Sequence, residues 1–245
     1  MFLQPLIPGL PMPPHEGVVR RYALGLVMET VPCYRCGPDS EPGAKVLPGI
    51  LVRHRAQPHR TGAVALQQAV TLLTGERVAV PSVTSAAGVL RHAQRLLPGF
   101  HAQRVWEQAP SDLLALCHDA IHHGGLVLLL WQSIAREVRG ATRQPCPAPQ
   151  WMLVVGVEGP WRPVGDASGN AVCKEASGLL VLDTQVHPGW GLGHNQRLVP
   201  GAYPHHEAAV RVAEFRAVWS ARTVEGGLDC GIVIAAITIA PSTHG

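Results

Sequence analysis

The sequence predicts an α+β fold, in which a helical N-terminal half packs on an antiparallel sheet formed by the C-terminal half. Segments with helical periodicity come before residue 124, and apolar β-branched segments come after it. No predicted strand is followed by a glycine-rich phosphate loop, which argues against nucleotide-binding α/β folds. We expect a single domain over residues 1–245, with an extended tail at 1–17, a helical half at 57–124 and a mostly β half at 125–240.

The N-terminal part has few regular signals. Residues 1–14 are apolar but contain five prolines and no Lys or Arg, so they predict an extended tail and not a signal peptide. Residues 18–30 are rich in β-branched and apolar side chains and predict a strand. A proline-punctuated loop is expected at 31–43, and a short strand weakened by Pro48 at 46–52.

Three segments have apolar residues at helical spacing: residues 61–74, 84–97 and 111–123. Gly75 stands where a helix-ending glycine belongs. A hydroxyl side chain near a helix start can accept a hydrogen bond from a first-turn amide. We therefore expect three N-caps, at Thr61, at Ser111 and at either Ser82 or Thr84.

After residue 124 the periodicity becomes that of strands. Buried strands are predicted at residues 125–131, 150–158, 178–183 and 230–240, where apolar runs of strand length occur. Residues 210–222 favour a strand over a helix. Residues 136–149 are polar and proline-rich, and predict an excursion from the sheet.

Composition argues against several functions. The net charge is only +3, Lys is limited to two residues and aromatic residues make up 5%, which does not fit a nucleic-acid-binding surface. No apolar run approaches the ~18 residues needed to span a membrane. Six cysteines without a secretion signal predict reduced thiols and a cytoplasmic location.

Four short motifs occur in a fixed order along residues 57–183. The first predicted helix opens with TGAV at 61–64, a strand LVLLL follows at 126–130, a strand WMLVVG follows Gln150, and a strand GLLVLD ends at Asp183. In this order the motifs resemble the papain-like cysteine peptidases, and most closely the bacteriocin-leader (double-glycine) peptidase branch. The resemblance implies a single papain-like domain.

The catalytic positions of that family are altered in this chain. The family opens its first helix with a nucleophilic Cys, begins a later strand with a His, and orients the imidazole with an acid or amide. Here Thr61 stands at the Cys position and Gln150 at the His position, and only Asp183 is retained. Arg55 stands at the position of the oxyanion glutamine. Because an amide cannot take up the nucleophile's proton, the resemblance implies an inactive pseudo-peptidase with no catalytic residues.

Loss of catalysis need not remove a peptide-binding groove. The family holds an extended peptide against strand edges, so the resemblance implies a peptide or protein partner. We expect Trp131, Trp151, Trp190 and His194 to line such a groove. The protein would then be a non-catalytic subunit of a bacterial peptide-processing or export system, forming a hetero-oligomer with an active relative.

Two alternatives stay open at the level of sequence. Cys146 or Cys173, paired with His194, would make the protein an active cysteine hydrolase or transferase with relocated residues. The Cys33–Cys36 pair could instead hold Zn²⁺ together with His54, His59 or a cysteine from the β half, which would make the protein a structural subunit. Apart from this zinc ion no cofactor is expected.

Overall fold

A computed structural model describes residues 17–22, 29–32, 58–106, 109–138, 141–143, 148–160, 162–163, 171–172, 176–183, 194–202, 217–223 and 227–242. Its helices are α1 (Thr61–Thr74), α2 (Ala86–Leu96) and α3 (Pro110–His122). Its strands are β1 (Gly17–Tyr22), β2 (Glu29–Pro32), β3 (Phe100–Trp106), β4 (Leu126–Val138), β5 (Ala141–Arg143), β6 (Gln150–Pro160), β7 (Arg162–Pro163), β8 (Ala171–Val172), β9 (Gly178–Asp183), β10 (Gln196–Pro200), β11 (Val218–Thr223) and β12 (Leu228–Pro241).

Six of these strands form a closed antiparallel barrel. The pairing runs from β6 through β9, β10, β11 and β12 to β4, and β4 pairs with β6 again. The closing ladder extends from the pair Val127–Val154 to the pair Trp131–Gln150. Around the barrel, β1 and β2 extend the sheet from β6, β3 pairs with β12, and β5 pairs with β4. Closure leaves no free edge within the six-stranded ring.

The predicted α+β, papain-like arrangement is therefore wrong. The chain is mostly sheet, and its C-terminal strands close on themselves instead of forming a layer beneath a helical half. Even the predicted helical half contains a strand, β3, in which Ala102 is buried between the exposed His101 and Gln103. The short strand β10 was also not predicted, because Leu198 and Val199 are its only large aliphatic residues. That the chain forms a single domain over residues 1–245 stays a prediction.

The strongest local signals predicted their elements correctly. α1 spans the predicted residues, and Gly75 follows it with a φ of 75°, as a helix-ending glycine does. β9 also has its predicted bounds. By contrast, Thr61 is the first helical residue of α1 and not its N-cap, a position held by Arg60. Ser85 caps α2, with its Oγ accepting a hydrogen bond from the amide of Gly88 at 3.2 Å.

Three of the predicted segments have other bounds in the structure. The single strand predicted at residues 18–30 is two antiparallel strands, β1 and β2, with Gly17 opposite Pro32. β4 extends to Val138 and so enters the predicted excursion at 136–149. β11 coincides with the end of the strand predicted at 210–222. Residues 1–16 of the predicted tail and the strand predicted at 46–52 lie outside the described residues.

The helices cover the barrel with their apolar faces. α1 packs against β6, and α3 packs against β4 and β6. Ala63, Leu66 and Val70 of α1, at helical spacing, join one buried cluster with Leu153 and Val155 of β6. This packing fixes the start of α1 beside the start of β6.

Gly62 allows α1 to approach β6 this closely. A Cβ atom at Gly62 would lie 2.9 Å from Cδ1 of Trp151 and closer still to the carbonyl oxygen of Val83. The indole Nε1 of Trp151 donates a hydrogen bond to the carbonyl oxygen of Thr84 at 2.9 Å. The start of α1, the start of β6 and the segment before α2 therefore meet at one point.

We expect Gly62→Ala to lower the free energy of unfolding. The added Cβ would clash with the Val83 carbonyl oxygen and the Trp151 indole, which should destabilise the protein by about 1–3 kcal/mol. The higher helix propensity of Ala offsets at most about 1 kcal/mol of this loss. Urea denaturation measures the change. Gly99→Ala is the matched control, because a Cβ there meets nothing within 4 Å, and it should change stability by less than about 0.5 kcal/mol. Equal stability of the two variants would contradict the close contact.

Candidate functional site

The structure places Thr61 against the backbone next to Gln150, and Gln150 against Asp183. Thr61 opens α1, Gln150 opens β6 and Asp183 ends β9. The Thr61 Oγ1 accepts a hydrogen bond from the backbone amide of Trp151 at 3.2 Å. The Gln150 Nε2 donates a hydrogen bond to the Asp183 Oδ2 at 3.1 Å. These residues form the candidate site.

Strand register places the side chains of Gln150 and Asp183 next to each other. Met152 of β6 lies opposite Asp183 of β9. Side chains alternate between faces along a strand, so Gln150, two residues before Met152, shares a face with Asp183. Neighbours on this diagonal are within reach of long side chains, which is how the glutamine amide meets the carboxylate.

Asn195, which the sequence reasoning missed, fixes the end of β9. The amide of Asp183 donates to the Asn195 Oδ1 at 2.7 Å, and the Asn195 Nδ2 donates to the Asp183 carbonyl oxygen at 2.8 Å. The backbone amide of Asn195 also donates to the carbonyl oxygen of Val181 at 3.1 Å. The Asn195 side chain thus pairs with Asp183 as a neighbouring strand would. An asparagine immediately before a strand was the only sequence signal for this role.

The candidate site is closed to solvent. Exposed fractions are 1% for Thr61, 2% for Gln150, 0% for Asp183 and 2% for Asn195. The Gln150 Oε1 is buried and has no hydrogen-bond partner among the described residues. A buried polar atom left unpartnered costs about 1–3 kcal/mol, so this glutamine is not optimised for stability alone.

The chemistry available at the site is limited. The Thr61 hydroxyl has a backbone amide as its donor, and the neighbouring Gln150 amide cannot act as a base. Two cysteines, Cys117 and Cys230, lie in the described part of the chain, and both are buried. Burial raises the pKa of the Cys117 thiol far above its ordinary value, so it is not a thiolate at neutral pH.

The residues predicted to line a groove do not form one where they are described. Trp131 and Trp151 are 0% and 1% exposed, so both belong to the core. His194 is 5% exposed and directly precedes Asn195. Trp190 lies outside the described residues.

Of the residues predicted for the zinc site and for the relocated catalytic site, His59 and His194 lie in the described part of the chain. His59 is exposed in a 3₁₀ turn that directly precedes α1. The remaining candidates lie outside the described residues: Cys33, Cys36, His54, Cys146 and Cys173. Within the described ranges no group of three or more His, Cys, Asp or Glu side chains is placed to hold a metal ion.

A second buried polar cluster braces β4 against β12. The Asp229 Oδ1 accepts from the Ser133 Oγ at 2.6 Å, and its Oδ2 accepts from the Nε and Nη2 atoms of Arg136 at 2.9 and 2.6 Å. Burial raises the pKa of Asp229, against the lowering effect of Arg136 and Ser133. Both carboxylate oxygens are used, so the cluster serves as a structural connection.

No protein-family model matches this chain, and a comparison with curated proteins found no match. None of the helices in the described ranges is long and apolar enough to cross a membrane.

Proposed function

We propose that the protein is a non-catalytic domain that binds a peptide or protein partner. In this proposal Thr61, Gln150 and Asp183 occupy the positions of a lost cysteine-peptidase catalytic set. The observation that carries the proposal is that a helix start, a strand start and a strand end meet through hydrogen bonds, with an amide at the position of the base. The proposed setting is cytoplasmic, as the non-catalytic subunit beside an active relative in peptide processing or export.

Each position corresponds to one part of the expected chemistry. A nucleophile gains from a helix N-terminus, because the helix dipole lowers its pKa, and Thr61 stands there. A general base would stand at Gln150, held by a hydrogen bond to the orienting carboxylate of Asp183. The glutamine amide keeps this hydrogen bond but cannot transfer a proton. In this proposal the hydrogen bond between the two positions is kept, but proton transfer, and with it peptide hydrolysis, is lost.

Partner binding would use surfaces away from this buried cluster. Within the described residues β3 forms one ladder, to β12, and its residues His101 and Gln103 are exposed. The Gln94 Nε2 donates to the Ala102 carbonyl oxygen at 3.3 Å, so part of the outer edge is covered by α2. An extended peptide adding as a strand to such an edge is the binding mode that we propose.

A mixed library of unstructured peptides tests both parts of the proposal. We expect wild-type protein and Thr61→Ala to retain the same subset of peptides with equal affinity. Neither should cleave any peptide, because the Gln150 amide, which stands at the proposed position of the base, cannot take up a proton. Affinity selection followed by mass spectrometry reads out both retention and cleavage. Cleavage by the wild type that disappears in Thr61→Ala would contradict the proposal, as would the absence of any saturable peptide binding.

A double substitution tests whether the positions correspond to a catalytic set. Thr61→Cys combined with Gln150→His should give a thiol with a pKa at least one unit below that in Thr61→Cys alone, because an imidazole beside a thiol favours the thiolate. The ultraviolet absorbance of the thiolate, followed against pH, measures this difference. Turnover should stay feeble without an oxyanion donor, which can be worth about 10²–10³ in rate. Equal thiol pKa values in the single and double variants would contradict the assigned positions.

A further inference from the structure

We propose that the end of α3 carries a two-histidine site for a divalent transition-metal ion of the Cu²⁺, Ni²⁺ or Zn²⁺ class. His118 and His122 lie four residues apart on this helix, with ring centroids 5.9 Å apart and ring planes at 12°. Imidazole nitrogens are preferred ligands of these ions. The proposal is independent of the peptide-binding function.

The helix geometry places both rings on one face. Residues four apart in a helix are neighbours on its surface, so their side chains can reach a common ion. His122 is exposed, and the side chain of His118 is 17% exposed. Because stacked rings do not direct their nitrogen lone pairs to one point, ion binding requires the exposed ring of His122 to rotate out of the stack, while Asp119 holds His118.

Asp119 supplies the orientation that metal-binding histidines typically have. Its Oδ1 lies 3.4 Å from the Nδ1 of His118. A carboxylate at one ring nitrogen fixes the tautomer and makes the other nitrogen, here Nε2, the ligand atom. The backbone carbonyl of Asp119 lies 2.7 Å from the Nδ1 of His123, whose ring packs edge-on against His122 at 5.4 Å. Asp119 therefore contacts one imidazole of the pair, that of His118, and also the imidazole of His123, which packs against the other.

The position at the helix end favours a cation. His122 is the last residue of α3, where the carbonyl end of the helix carries partial negative charge. Only two ligands come from the described residues, so the remaining coordination positions would be taken by water. A closed structural zinc site needs four protein ligands. The site is accordingly one for a weakly held, exchangeable ion.

Calorimetric titration of the full chain with Ni²⁺ tests the site. The titration uses a Cys33→Ser/Cys36→Ser background, which removes the competing thiol pair. We expect one Ni²⁺ per chain, and weaker binding of Co²⁺. His118→Asn and His122→Asn should each weaken Ni²⁺ binding at least roughly tenfold. Loss of a residue that only hydrogen-bonds to a metal ligand already weakens binding by roughly 10–100-fold, and loss of a ligand should cost at least as much.

His101→Asn is the matched control, because His101 is an exposed histidine on β3. It should leave the Ni²⁺ affinity unchanged. Circular dichroism checks that each variant is folded. Absence of Ni²⁺ binding in the background protein, or an affinity unchanged in both His118→Asn and His122→Asn, would overturn the proposal.

Discussion

The hydrogen bond from the Trp151 amide to the Thr61 hydroxyl joins helix α1 to strand β6 of the barrel. β9 ends at Asp183, opposite Met152, and so stops one residue short of Trp151. The Thr61 Oγ1 accepts a hydrogen bond from the Trp151 amide at 3.2 Å. Because a buried amide without an acceptor is costly, this hydroxyl determines how α1 can sit on β6.

The surrounding contacts depend on the same junction. The Trp151 indole donates to Thr84, which fixes the segment before α2, and Gly62 provides the space for that approach. On the other side, the Gln150 amide connects β6 to the Asp183 carboxylate, whose backbone is in turn paired with Asn195. The start of α1, the start of β6, the end of β9 and the residue before β10 are thus connected by side-chain hydrogen bonds. The proposed binding role rests on this hydrogen-bonded junction and on the Gln150 amide, which cannot take up a proton.

Local sequence patterns predict much of the secondary structure, but they do not predict which strands pair with each other. α1 was predicted to the residue because its apolar spacing and Gly75 agree, and β9 because an apolar run ends at a single aspartate. Barrel closure depends on the pairing of β4 with β6, which periodicity does not encode. The sequence does not predict β3 or β10, because each is short and has neither a continuous apolar run nor a regular alternation of polar and apolar residues.

The candidate site was likewise predictable only in part. The order of Thr61, Gln150 and Asp183 along the chain, compared with a family pattern, was enough to group them. Asn195 could not be found, because its role depends on where β9 ends. The burial of Trp151 is not predictable either, because its indole contacts Thr84, which is distant in sequence.

Amide hydrogen exchange at Trp151 tests the central claim most directly. If the Thr61 hydroxyl is a structural acceptor, Thr61→Val, which keeps the shape and removes the oxygen, should speed exchange at Trp151 roughly fivefold or more, as expected for a hydrogen bond worth about 1 kcal/mol. Thr61→Ser, which keeps a hydroxyl, should exchange at nearly the wild-type rate. Equal exchange at Trp151 in wild type and Thr61→Val would contradict the account, because the hydroxyl would then not be engaged by the strand.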